Sequence, residues 1–406
     1  MNRIKEQRQL WQGGAAKNIT FIVTKDCQLA CKYCYLVGKN ETERMTWKVA
    51  KATVDYVLDR EWEPEFAYKS VVWDFIGGEP FLEIDLIDRI CDYIKAELYR
   101  RNHHWFDSYR FSFSTNGLNY HTEKVQRFIE KNRSHLSIGI TIDGTRRKHD
   151  LNRVYKGSGH GSYDDVVKNI ALWQKQFPGD GTKVTIASAD IPYICESVLH
   201  LYELGIKQVN INCVFEDVWQ EGDDKLFEEQ LMMLADAIID RGLYSDYACS
   251  FFSENVGKPL DCTLQNQNWC GAGKMLSVDA AGNFYPCTRF AQYSLRDKPA
   301  WIIGNVDDGI DRNKLRPFLT LDRCTQSDPE CVDCEVAEGC AWCQGENYDA
   351  AATHTVFERS KAICKMHKAR VRANNYYWNR LYRKLELEGR REELEILRPE
   401  SADRAC

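Results

Sequence analysis

Ile19-Thr-Phe-Ile-Val-Thr-Lys-Asp-Cys-Gln-Leu-Ala-Cys-Lys-Tyr-Cys34 joins an apolar run to three closely spaced cysteines. Residues 19–23 have the β-branched and aromatic content of a buried strand, so Cys27, Cys31 and Cys34 fall on the loop that leaves its end. Their C-x3-C-x2-C spacing sets three thiolates on one short segment. Three thiolates can hold three irons of a [4Fe–4S] cube and leave the fourth iron free for a substrate or cofactor. Taken alone, the spacing also suits buried or zinc-binding thiols.

Composition narrows the setting. The chain has 406 residues, enough for a large core and a second domain. Its formal charge of −6 offers no basic field for nucleic acid. The opening Met1-Asn-Arg-Ile-Lys-Glu lacks an apolar signal core, and no apolar run approaches the roughly 18 residues a membrane span needs. A cytoplasmic location, with no membrane partner, is the expectation. There, 17 cysteines point to metal or cluster ligation, because structural disulfides do not persist in a reducing compartment.

Beyond Cys34, strand-like runs at 70–75, 109–114, 136–142, 183–187 and 208–214 alternate with helix-like runs. With 19–23 they make six. In one intervening segment Ile87, Cys91, Ile94 and Leu98 form a single apolar face of a 3.6-residue period, which assigns Cys91 to the core. The alternation predicts an α/β fold of parallel βα units with right-handed crossovers. Chemistry in such barrels sits at the C-terminal ends of the strands, where the Cys27 loop falls.

Further motifs follow the predicted strands. Gly77-Gly-Glu-Pro80 follows the second, Ser114-Thr-Asn-Gly117 the third, and Thr141-Ile-Asp-Gly144 with His149-Asp150 and Arg153 the fourth. Each alone is an ordinary polar turn. Together with Tyr33, the aromatic residue before the third cysteine, they resemble the radical S-adenosylmethionine (radical SAM) enzymes. That resemblance implies a partial (β/α)6 barrel, a [4Fe–4S] cluster on Cys27, Cys31 and Cys34, and S-adenosylmethionine cleaved to methionine and a 5′-deoxyadenosyl radical. It also implies cofactor contacts from Tyr33, Gly77, Gly78, Glu79, Ser114, Asn116, Thr141, Arg153 and Val214. Thr141 keeps the hydroxyl of the family's usual Ser, and Arg153 offers a planar fork to the cofactor carboxylate. Val214 is by default a core residue, and His149 reads as a hydrogen-bonded strut.

A second cysteine set follows. Cys270 and Gly282-Asn-Phe-Tyr-Pro-Cys287 give C-x11-G-x4-C, and Cys331, Cys334, Cys340 and Cys343 precede Cys364. This resembles the SPASM domain, a C-terminal extension of radical SAM enzymes that holds two auxiliary [4Fe–4S] clusters, for three clusters in all. A zinc ribbon is the alternative, but its cysteine pairs stand a dozen or more residues apart. By resemblance Cys331, Cys334, Cys340 and Cys364 would hold one cluster, and Cys270, Cys287 and Cys343 the other. Cys262 is the favoured fourth ligand there, with Cys324 a weaker candidate and a substrate cysteine the alternative. The spacing from Cys340 to Cys343 is one residue shorter than the family's. Cys195, Cys213, Cys249 and Cys406 read as core or incidental thiols.

The resulting expectation is an N-terminal arm at 1–17, the barrel at 18–240, a linker at 241–260, the SPASM domain at 261–370 and a helical segment at 371–406. SPASM enzymes mostly modify peptides or proteins, so a precursor peptide is the expected substrate, with flavodoxin or ferredoxin as electron donor. The sulfatase-maturing branch typically has Asp directly after the cysteine of G-x4-C, but Thr288 stands here. Peptide cross-linking, thioether or carbon–carbon, is therefore preferred, with some likeness to maturases of Cys-x-x-x repeat targets. Formylglycine formation on sulfatases, or a non-catalytic electron-transfer role, are the alternatives. Only about 17 residues precede the first strand, so leader recognition is expected from the barrel, a separate protein or the C-terminal segment. There Arg370, Arg372, Arg380, Arg383 and Lys384 read as a solvated helix face, or as a dock for an acidic leader.

Overall fold

Alternation along the first strand sets the architecture. In β1 (Ala16–Thr24) Ile19, Phe21 and Val23 are fully buried on one face, while Thr20 points the other way. The computed structural model describes residues 14–39, 42–263, 270–390 and 392; most of the expected arm and Cys406 lie outside them. The elements then run α1 (Trp47–Leu58), β2 (Ser70–Gly77), α2 (Ile84–Arg100), β3 (Tyr109–Thr115), α3 (Glu123–Asn132), β4 (Leu136–Ile140), α4 (Arg146–Asn152), α5 (Tyr163–Gln176), β5 (Thr182–Ile186), α6 (Ile194–Glu203), β6 (Gln208–Cys213) and α7 (Asp223–Asp240). All six expected strands form. Ile87, Cys91, Ile94 and Leu98 lie fully buried on α2, so Cys91 is a core residue.

Strands β1 to β4 lie parallel and adjacent, and β5 pairs parallel with β6. A single parallel bridge from Thr141 to Lys183 joins the two groups. The result is a six-stranded, open α/β barrel. Its helix-facing side is apolar: Phe21 stacks on Phe75 at 5.5 Å and on Trp73 at 6.1 Å. Each such side chain contributes about 2 kcal/mol by leaving water. The inner side is polar, with burial raising the Asp74 carboxyl while Lys183, Ser112 and Thr20 hold it from nearby.

Both open edges of the barrel are covered. Within the expected linker, Ala248–Cys249 (β7) pairs with β6. At the other edge Leu276–Val278 (β8) pairs parallel with β1, placing Val278 beside Phe21. Asn283–Tyr285 (β9), Gly304–Asn305 (β10) and Gly309–Ile310 (β11) continue that sheet antiparallel. Gly282 turns the β8–β9 hairpin at φ +82°, and a Cβ there would meet Val306 at 2.8 Å. Backbone pairing thus fixes the cysteine-rich region against the first barrel strand, removing an exposed edge.

The last helix, Cys364–Leu387, starts before the expected boundary at 371 and packs along α7. Arg372 pairs with Glu228 at 2.6 Å, and Arg380 with Asp240 at 2.9 Å and with Asp236. Arg370 donates to the Ser250 carbonyl at 2.7 Å. This charged face stays partly solvated, with Arg372 exposed, while α7 and the segment after β7 supply its partners. No helix among the described residues is long and apolar enough to cross a membrane.

Candidate active site

The three cysteines of the first loop lie at the C-terminal end of β1. The Asp26 carboxylate accepts the Cys27 amide at 2.9 Å, and the Leu29 amide reaches the Cys27 sulfur at 3.3 Å. Cys34 turns back onto the Cys31 carbonyl at 3.1 Å. Burial, with Glu79 adding to it, pushes the Cys27 thiol up to about 11. Burial also raises Cys31, opposed by Arg153 and Lys39. A metal or cluster must therefore displace these protons on binding, with both cations assisting at Cys31.

Gly77 and Gly78 do not present an open cradle. A Cβ on Gly78 would stand 2.2 Å from the Asp26 carbonyl, and one on Gly77 equally close to that of Thr24. Their amide neighbours bind this same segment, Gly78 to Thr24 at 3.0 Å and Glu79 to Asp26 at 2.9 Å. Both glycines are thus closed against the cysteine loop itself. Glu79 is buried, and its carboxylate accepts the Thr115 hydroxyl and the Asn116 amide, both at 2.7 Å, and the Phe81 amide at 3.1 Å. It acts as a strut between the ends of β2 and β3. Asn116 braces the loop in turn, donating to Gln28 at 3.0 Å with its amide nitrogen 3.9 Å from the Cys27 sulfur. The Ser114 hydroxyl accepts Lys183 across the barrel at 3.0 Å, so a partner inside the protein already holds it.

Asp143 organises the next strand end, a role that the Thr141-Ile-Asp-Gly144 motif left unassigned. Its carboxylate accepts the Tyr33 hydroxyl and, at 3.1 Å, the Thr185 amide. Burial pushes Asp143 up, but Lys148, Arg153 and His149 outweigh it and leave the carboxyl below its usual range. Arg153 donates to the Tyr33 hydroxyl at 3.0 Å, while its buried Nε has no hydrogen-bond partner. An unsatisfied guanidinium N–H beside the cysteine loop fits the carboxylate of a bound amino-acid moiety. His149 is the expected strut, its rings' nitrogens engaging the Asp143 amide at 3.2 Å and Ser162 at 3.0 Å.

Val214 lines a cavity of about 260 Å³ with Tyr33, Cys34, Tyr35, Glu216 and, from the cysteine-rich region, Asp349. The opening thus joins the two halves of the chain. Arg289 lies 4.6 Å from the Tyr35 ring centroid and pairs with Glu216 at 2.8 Å and Glu346 at 3.0 Å. Arg296 meets the same Glu346 at 2.8 Å.

The later cysteines gather in two groups. Burial raises the Cys287 thiol, and the neighbouring Cys270 and Cys343 raise it further. Cys331 and Cys340 share Arg359, which donates to the Cys340 sulfur at 2.7 Å, and Cys364 stands close to Cys340. Both groups retain the thiol chemistry that iron–sulfur ligation needs. Cys262 departs from expectation: it is disulfide-bonded to Cys324, so in this structure neither provides a free thiolate to the first group. Cys195 and Cys249 are buried, as expected of core thiols, while Cys213 is half-buried.

The structure thus combines a parallel half-barrel, a three-cysteine loop on its first strand and a buried arginine with an unpartnered Nε after its fourth. Residues 21–188 match the model of the radical SAM superfamily, and this part of the chain is a radical SAM domain. That fold binds S-adenosylmethionine and a [4Fe–4S] cluster. An uncharacterized protein of Methanocaldococcus jannaschii is 28% identical over 303 residues, covering 74% of this chain and 91% of its own. The serine-type anaerobic sulfatase-maturating enzyme of Bacteroides thetaiotaomicron is 23% identical over 309 residues, 69% of either chain. Among solved structures, anSMEcpe with bound AdoMet superposes with a TM-score of 0.66 at 18% identity, over 91% of this chain and 99% of its own. Streptococcus suis SuiB bound to precursor peptide SuiA gives 0.55 at 14% identity, over 88% and 78%. At these identities the solved structures establish the shared fold.

Proposed function

We propose that this chain is a peptide maturase that installs a cross-link, thioether in preference to carbon–carbon, in a ribosomally made, cysteine-containing precursor. The observation that carries this reading is the cavity joining Tyr33 and Cys34 of the radical SAM loop to Arg296 and Asp349 of the cysteine-rich region. A peptide side chain there meets both halves of the chain at once. The likeness in fold to SuiB, solved with a precursor peptide, supports the same class.

Bound at Cys27, Cys31 and Cys34, the cluster and S-adenosylmethionine supply a one-electron cleavage that removes a hydrogen atom from an unactivated carbon. Arg153, anchored through Tyr33 to Asp143, would orient the cofactor carboxylate, and Val214, on the cavity wall, would take its adenine. Tyr35 lines the same cavity and would help to keep water from the reacting carbon. Cys331, Cys334, Cys340 and Cys364 hold one auxiliary cluster; Cys270, Cys287 and Cys343 hold another. For as long as Cys262 stays bonded to Cys324, that second set would leave one ligand place for a substrate cysteine. Joining its sulfur to the carbon radical would release the thiol proton and one electron, and the cluster that Cys270, Cys287 and Cys343 would hold would take up that electron. A flavodoxin or ferredoxin supplies the initiating electron.

Sulfatase maturation is the second reading, favoured by the 23% identity to the Bacteroides enzyme. Against it, Thr288 occupies the position after Cys287, and its hydroxyl is bonded to Tyr35 rather than offering a carboxylate base. The test is to incubate the reconstituted chain with S-adenosylmethionine, reductant and a cysteine-containing peptide encoded beside its gene. Cross-linking removes about 2 Da per link together with the free thiol. A product that instead reacts with a carbonyl reagent contradicts it.

A further inference from the structure

At the end of the barrel opposite the cysteine loop, the segments preceding β2 and β3 bring three metal-ligand side chains together. Glu61 follows α1, and His103 and His104 follow α2, where Asn102 takes a left-handed conformation at φ +48° and turns the chain. The ligand atoms of Glu61, His103 and His104 all lie within 4.8 Å of one another. Glu61 Oε2 stands 3.3 Å from His103 Nε2 and 3.2 Å from His104 Nδ1. A tetrahedral zinc with bonds near 2.05 Å has ligand-to-ligand edges of about 3.3 Å, so two of the three edges are already in place.

Hydrogen bonding orients the imidazoles. His104 Nε2 lies 3.0 Å from the Tyr68 carbonyl, which can only accept, so Nε2 carries a proton and Nδ1 is the nitrogen that faces Glu61. A proton or a metal cation between Nδ1 and the carboxylate satisfies both groups at 3.2 Å. The Tyr68 carbonyl also accepts Trp105 Nε1 at 2.7 Å, a fixed outer contact of the kind that orients metal-bound histidines. His103 is 3% exposed, and its Nε2, aimed at the same carboxylate, makes no hydrogen bond. Its Nδ1 accepts the Trp105 amide at 3.2 Å. Coordination through Nε2 would move the ring proton to Nδ1, where it would face the Trp105 N–H, so the ring must shift away from that 3.2 Å contact. Trp62, 75% exposed, stacks on His104 at 5.2 Å and screens one side.

We infer that Glu61, His103 and His104 form a zinc site with water as the fourth ligand, tying the connection before β2 to the connection before β3. Two imidazole nitrogens and a carboxylate suit Zn2+ over the harder cations. The site is separate from every cysteine group and does not depend on the proposed peptide chemistry.

The test uses the cluster-reconstituted full chain, dialysed against Zn2+ and analysed for zinc per chain, beside Glu61→Gln and His104→Gln. Both variants leave His103 and the cysteine groups intact, and circular dichroism checks their fold. Wild type should retain one more zinc than either variant, with X-ray absorption showing nitrogen and oxygen neighbours and melting raised by zinc only in wild type. Equal zinc in all three proteins, or zinc with sulfur neighbours only, would overturn the assignment.

Discussion

The Arg289 guanidinium lies 4.6 Å from the centre of the Tyr35 ring. Tyr35 follows Cys34, and Arg289 comes two residues after Cys287, so this contact joins the loop of the radical SAM domain to the first group of later cysteines. The same arginine meets Glu346, whose buried carboxylate also takes Arg296. Removing Arg289 leaves Glu346 buried with one partner fewer. Arg289→Ala is expected to lose about 3 kcal/mol in anaerobic urea denaturation. It should also lower peptide modification at least about tenfold, while 5′-deoxyadenosine still forms because the first loop is intact. Equal loss of both products would show that the arginine does not serve the link between the two halves.

Gly78 is held against the Asp26 carbonyl with no room for a methyl group. Gly78→Ala must push the cysteine loop away from β2. Iron analysis after reconstitution should show the loss that Cys31→Ala shows, with the iron attributable to the later cysteines retained. Full iron in Gly78→Ala would mean that the loop tolerates displacement.

Arg153 keeps a buried, unpartnered Nε beside its bond to Tyr33. Arg153→Lys retains charge but loses the planar fork, so equilibrium dialysis should show S-adenosylmethionine binding weaker by about 10- to 100-fold. Tyr33→Phe breaks the link to Asp143 and should weaken binding less. Unchanged affinity in Arg153→Lys would remove the arginine from the cofactor site.

Burial and the nearby Arg153 hold His149 down at about 3 against its ordinary 6.5. Below pH 6.5 the unfolded chain takes up a proton that folded His149 refuses, so the folded state loses stability as pH falls from 6.5 towards 3. Between pH 7 and pH 5 this amounts to about 2 kcal/mol. His149→Gln should flatten the stability profile by about that much, whatever its cost at neutral pH. Parallel profiles for the two proteins would show that His149 does not titrate in this way.

The barrel was legible because each strand is an apolar run and each run leads to a turn whose residue types suit ligand contact. The cysteine groups were legible because iron ligation demands one residue type at short spacings. Glu346 was not: it lies 57 residues from Arg289, and a charged residue at that separation carries no periodicity. Strand β8 is three residues long, and its extended form depends on the open edge of β1. Cys262 and Cys324, 62 residues apart, look the same in sequence whether they bind a cluster or each other. The glycines of Gly77-Gly-Glu-Pro80 were expected to contact the cofactor, whereas the close approach the structure shows is to the cysteine loop.

The central claim is that Cys27, Cys31 and Cys34 drive reductive cleavage of S-adenosylmethionine. The most direct measurement is 5′-deoxyadenosine, quantified by mass spectrometry after anaerobic reconstitution and dithionite reduction of wild type and Cys31→Ala. Formation in wild type and its absence in Cys31→Ala is the predicted result. No 5′-deoxyadenosine in wild type, or equal amounts in both, would contradict the account.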